Sequence, residues 1–178
     1  MLRRVLHSRI AAGVALAIGV ALAGFGVAAA ADGDDGTPTP DPDELALVER
    51  FASAVTTFDS GRVEADIERI LALGTPAFAD EFRSTMGETF VADLQASGSV
   101  SSGEVVAGPT LQRADDGTAV FFVVVNQQIT APSAAPADGA DSSGEQGQAA
   151  APESRIVRVG LLVQVDRDED LVSSVQVL

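Results

Sequence analysis

The chain has 178 residues, 26 of them acidic and 11 basic, with one histidine and no cysteine, tryptophan or tyrosine. Every basic residue is arginine, and the histidine, His7, precedes a long apolar run, so serine–histidine, cysteine–histidine, Schiff-base, disulfide and zinc–histidine chemistry is excluded from everything that follows it. Beyond Ala31, eight arginines face all 26 acids, a net charge of −18 that repels nucleic acid and anionic lipid headgroups, so neither is an expected partner.

Residues 1–9 form a basic flank with Arg3, Arg4 and Arg9. Residues 10–31 are an unbroken apolar and glycine run, about the 20 residues that a membrane-spanning helix needs. Arginines stay on the cytoplasmic side, so the N-terminus is expected inside and the remainder outside, anchored in the cytoplasmic membrane. A cleaved secretion signal is the other reading, because Ala29, Ala30 and Ala31 offer a small-residue cleavage site before Asp32. Lipid anchoring through an N-terminal thiol is ruled out by the lack of cysteine.

Residues 32–43 combine acids, glycine and the alternating Pro38, Pro40 and Pro42, which favours an extended stalk. The domain proper is expected over 44–178. Asp41-Pro42-Asp43-Glu44 supplies an N-cap acceptor, a first-turn proline and a glutamate able to reach back. Val48, Phe51, Val55 and Phe58 then repeat at helical spacing, up to a turn near Asp59-Ser60-Gly61. A second short helix places Val63, Ile67, Ile70 and Leu71 on one side and Glu64, Asp66 and Glu68 mainly on the other, and Gly74 closes it. Thr75-Pro76 starts a third helix, lasting to about Ala96, on which Phe78, Phe82, Met86 and Phe90 recur every fourth residue. Together with Phe51 and Phe58, these form either a packed core or the lining of an apolar pocket.

From Gly98 the period changes. Strands are expected over Glu104–Gln112 and Thr118–Thr130, joined by a hairpin turn at Asp115-Asp116-Gly117. The run from Ala119 to Val125 is apolar at odd and even positions alike, so both of its faces need cover; Phe121 and Phe122 point to opposite faces, and the one the helices leave uncovered is a candidate interface, most simply with a second copy of the chain. Arg155–Asp166 carries Val157, Val159, Leu161, Val163 and Val165 on one face, and Leu171, Val175 and Val177 continue that pattern. Between them, residues 131–153 are rich in alanine, proline, glycine and serine and are expected to be a disordered hairpin loop. The fold class is therefore α+β: about three helices packed on a curved four-stranded antiparallel sheet.

Carboxylates are the remaining acid–base candidates, and none is well placed. Asp80-Glu81 and Asp115-Asp116 are sequence neighbours whose side chains diverge or stay hydrated, while capping and solvation account for Asp59 and Asp66. Asp166, Asp168 and Asp170 alternate as in a calcium loop, but Leu171 and Val177 stand where that loop needs glycine and glutamate. No catalytic residue, metal or cofactor is expected.

The successions Phe51-Ala52-Ser53-Ala54-Val55-Thr56-Thr57-Phe58-Asp59, Asp66-Ile67 to Leu73, Thr75-Pro76-Ala77-Phe78 with Phe82, and the strand Val120 to Gln127 resemble the extracytoplasmic domain of Mce-associated membrane proteins, an actinobacterial family. That resemblance implies an NTF2-like or cystatin-like cone behind one membrane helix. It also implies an accessory role beside the Mce machinery, which moves lipids or sterols across the envelope, with Mce complex proteins as partners. The family's usual tryptophan in the final strand is missing here, where Asp170-Leu171-Val172 stands. A lipid-binding domain and, by fold analogy alone, a carboxylate-based isomerase or hydratase are the alternatives.

Overall fold

The computed structural model describes residues 39–132 and 152–178. The expected anchor, the stalk up to residue 38 and the expected disordered loop over 133–151 lie outside the described residues, among which no helix is long and apolar enough to cross a membrane.

Helix α1 (Pro42–Thr56) begins as its sequence dictates: the Asp41 carboxylate accepts the Asp43 amide at 2.8 Å, and the Glu44 carboxylate accepts the Asp41 amide at 3.2 Å. It ends earlier than its apolar spacing suggests. Phe58 lies beyond the helix in a two-residue strand, β1 (Phe58–Asp59), which pairs with the start of β2 (Val100–Ala114) through Ser101 and Val100. The Phe58 ring is buried all the same, because the strand turns it to the same interior that Val48, Phe51 and Val55 face.

Helix α2 (Val63–Leu71) buries Val63, Ile70 and Leu71 as expected, but Asp66 turns inward and is 2% exposed. Its two oxygens take the Asp59 amide at 2.8 Å and the Arg69 guanidinium at 2.9 Å, so burial leaves neither unsatisfied. Helix α3 (Pro76–Ser97) starts with the Thr75 hydroxyl accepting the Phe78 amide, and it is broken at Gly87, whose φ of +48° only glycine adopts without strain. The third helix is thus two helical pieces.

Strands β3 (Thr118–Ala131), β4 (Glu153–Asp166) and β5 (Leu171–Val177) complete one antiparallel sheet in the order β1-β2-β3-β4-β5. The β3–β4 ladder runs further than expected, to the pair Ala131 and Glu153. A bulge at Ser173 changes the alternation in β5: Val172 pairs with Val165 and Val175 with Val163, making Val172 and Val175 the buried residues and leaving Leu171 half-buried. Val157 is exposed although its cross-strand partner Gln127 is buried at the end of α1, so at this level the helical cover reaches β3 but not β4.

Helix α1 packs across β2 to β5, α2 lies against β1, α1 and α3, and α3 reaches β5, so the helices fill the concave face of a curled five-stranded sheet. This is the expected α+β class, helices on a curved antiparallel sheet, but with five strands rather than four, because the two-residue β1 adds an edge beside β2. The approach of α1 to β2 is close enough that a Cβ on Gly103 would overlap the Thr56 side chain. Gly103→Ala is accordingly expected to lower the unfolding free energy by about 1–3 kcal/mol, read from urea denaturation.

The β2–β3 turn forms as an Asp-Gly hairpin: the Asp115 carboxylate accepts the Thr118 hydroxyl and amide, both at 2.8 Å, and the Gly117 amide at 3.3 Å. The Thr118 hydroxyl first, then these amides and Arg113, hold the Asp115 pKa below its ordinary value. A depressed carboxylate favours the folded state above its unfolded pKa, and that contribution disappears as pH falls through the folded value. In an NMR titration, Thr118→Val is expected to move the Asp115 midpoint upward; an unchanged midpoint would contradict the assigned hydrogen bond.

Candidate functional site

The six apolar residues singled out by spacing come together inside the cone. Phe51 and Phe78 meet edge to face with ring centres 5.6 Å apart at 72°, and Phe78 and Phe82 lie 5.6 Å apart. Phe51, Phe58, Phe78, Phe82 and Met86 are buried, whereas Phe90, beyond the break at Gly87, is half-buried against the same cluster. Gly74 permits this packing, since a Cβ there would overlap the Phe78 ring. Phe58 also borders a recess of about 30 Å³ with Leu94, Ser101 and Gln127, which is the scale of a water molecule rather than a lipid chain.

Phe121 and Phe122 are divided as their alternation requires. Phe121 is fully buried beneath the helices, so it is a core residue. Phe122 is half-buried on the outer face of the sheet, its ring passing over Gly160 close to Leu178. Cross-strand partners share a face, so Phe122 and Leu162, Val124 and Gly160, and Leu162 and Gln176 set a mainly apolar patch opposite the helices. Leu178 is 65% exposed beside it.

The interior also holds a polar junction that sequence periodicity missed. Ser101 Oγ donates to the Thr56 carbonyl at 3.0 Å and accepts the Phe58 amide at 3.1 Å, while Gln127 Nε2 donates to the Thr56 carbonyl at 3.0 Å. Gln127 is 4% exposed. Its signal was present in the odd-numbered inward series Phe121, Val123, Val125, Gln127, where a buried amide demands a partner. That partner is the C-terminus of α1, so Gln127 joins helix to sheet.

Two carboxylates, Glu44 and Asp66, are buried among the described residues, and both are engaged. Glu44 pairs with Arg167 through Nε at 2.8 Å and Nη2 at 3.3 Å, and Arg167 continues to the Asp115 carbonyl at 3.2 Å. A single guanidinium thus ties the start of α1 to the β2–β3 and β4–β5 turns. Glu44 borders an open cleft of about 610 Å³ with Asp41, Asp43 and Asp170, but the guanidinium and an amide occupy its oxygens. Asp166 caps its own turn by accepting the Asp168 and Glu169 amides, and among the described residues no group of three acidic or histidine side chains could hold a metal ion. Asp80 and Glu81 are not brought together with the other carboxylates; Asp80 pairs with Arg83 on the exposed side of α3.

No protein-family model matches the chain, and no curated protein matches it by sequence. By structure it is similar to an IcmL-like type IV secretion system protein from Legionella pneumophila, with a TM-score of 0.53 and 12% identity over 79% of this chain and 94% of that one. It is also similar to the periplasmic domain of DotI, with a TM-score of 0.50 and 13% identity over 80% and 99% of the two chains. A third likeness is to CagV, a VirB8 homologue of the type IV secretion system of Helicobacter pylori, with a TM-score of 0.51 and 8% identity over 77% and 97%. At these identities the shared property is the fold.

Proposed function

We propose that the chain is a membrane-anchored, non-enzymatic interaction protein whose cone stands outside the cytoplasmic membrane as an accessory of an envelope transport assembly. The observation that carries this reading is an interior of interlocking rings behind a half-buried, mainly apolar patch on the outer sheet face, over which no helix or other sheet lies among the described residues. Lipid binding within the cone would need space where Phe51, Phe78, Phe82 and Met86 interlock, and an isomerase or hydratase would need a buried carboxylate not already committed to an arginine. Surface recognition needs neither. The solved structures of similar fold include type IV secretion components and a periplasmic domain, which supports the setting. Association with an Mce-type lipid or sterol importer is the finer form of the proposal and rests on the sequence resemblance. On the outer face, Phe122 with Val124, Leu162 and Leu178 is the proposed contact for a second copy.

Crosslinking in native cells through the tagged full chain is expected to capture a subunit of an envelope transporter. Recovery of the tagged domain free in the medium, with no such subunit attached, would overturn the proposal.

A further inference from the structure

Charge is nearly absent from the outer face of the sheet, and the little it holds is arranged in opposition. Cross-strand partners set rows across that face, and from the row through Phe122 to the row through Gln128 the charged residues are Glu104 and Arg158 alone. Both stand in one row, Glu104 on β2 and Arg158 on β4, with Asn126 of β3 between them. Both are exposed, while Asn126 is half-buried. Two strands separate the charges by about 10 Å, and they do not meet: Arg158 Nε donates to Asn126 Oδ1 at 3.3 Å, and Glu104 has no ion pair among the described residues. The rows beside them are apolar, Val124 with Ala107 and Gly160, then Phe122 with Leu162.

An occupant of this face must therefore meet an acid on one side of β3 and a base on the other. An uncharged surface would strip water from both without replacing it, and a surface of one sign would match one and repel the other. A second copy of the chain meets both, in one orientation only. When two such sheets stack about 10 Å apart, a two-fold axis along β3 lays β2 of each copy over β4 of the other, so that Glu104 of each faces Arg158 of the other. An axis running across the strands would instead set acid against acid and base against base.

We propose that the outer face joins two copies about a two-fold axis along β3, with Phe122 and Val124 of both meeting at the centre and two Glu104–Arg158 ion pairs fixing the orientation. The inference rests on the reading of this patch as a contact for a second copy, and adds the arrangement and the residues that select it. The rest of the domain carries a large surplus of acids and repels its like, so a face whose two charges cancel is where copies can approach. The apolar rows supply the contact, and the charged row excludes the other orientations.

The test measures self-association of the full chain in detergent micelles by sedimentation equilibrium. Glu104→Arg and Arg158→Glu each bring like charges together twice, and each is expected to weaken the dimer roughly tenfold, while the double variant restores it. Mixing the two single variants is expected to give a heterodimer as tight as the wild-type dimer, because one copy then carries arginine at both positions and the other glutamate at both. Each side chain is exposed, so the far-UV circular dichroism of every variant should match the wild type. A monomeric wild-type chain, association indifferent to either charge reversal, as contact through the apolar N-terminal run alone would give, or a mixture no tighter than the single variants would each overturn the proposal. Its failure is separate from that of the wider reading: a dimer obeying these rules without any crosslinked transporter subunit would remove the setting and leave the interface, whereas a captured subunit beside a monomeric chain would remove the interface alone.

Discussion

Phe78→Ala is expected to cost about 3–5 kcal/mol of unfolding free energy, the largest loss for any single substitution considered. Phe78 is 1% exposed, touches the rings of Phe51 and Phe82, and lies against Gly74 where no side chain would fit. Truncation removes the hub of the interior and leaves a cavity that the surrounding strands, locked by their ladders, refill poorly. With no tryptophan or tyrosine in the chain, far-UV circular dichroism during urea denaturation is the suitable readout. Phe122→Ala is the control, because that ring is half-buried on the outer face and should cost clearly less. Equal losses at the two positions would contradict the division between core and surface.

The second large effect is expected at the clamp between α1 and the sheet turns. Arg167→Ala strands the Glu44 carboxylate, which is 8% exposed, and should destabilise the fold by about 2–3 kcal/mol, less than a fully buried pair because the Arg167 side chain remains 28% exposed. Glu44→Gln should cost less, since a neutral amide still accepts from the guanidinium and its own loss strands no buried charge. The double variant should then be more stable than the sum of the two losses predicts, and a double-mutant cycle reads this coupling directly. Additive losses would show that the pair does not act as a unit.

Local rules carried the reading where the determining contacts were local. The capping box at Asp41 and Glu44, the Thr75 cap and the Asp115-Asp116-Gly117 hairpin lie within a few residues of their partners, and all three form. The alternation of β3 likewise assigned Phe121 and Phe122 to opposite faces. The α+β class and the packing of helices on a curved antiparallel sheet followed from these elements.

What escaped was non-local. Phe58 continues the helical spacing of α1, yet its amide finds Ser101 at a separation of 43 residues and the chain becomes a strand. Asp66 occupies a position that composition assigns to water, and it turns inward because the Asp59 amide and Arg69 satisfy it there. The Glu44–Arg167 pair spans 123 residues, and no window along the chain contains both. The every-fourth-residue series from Phe78 to Phe90 passes over Gly87, where the helix breaks, because apolar spacing takes no account of backbone conformation.

The proposal stands or falls with a binding domain held at the outer membrane surface by its N-terminal residues. Fractionation of native cells followed by N-terminal sequencing tests this most directly. The account predicts a membrane-bound chain that still begins with the residues preceding Ile10; a soluble mature chain beginning at Asp32 would contradict it.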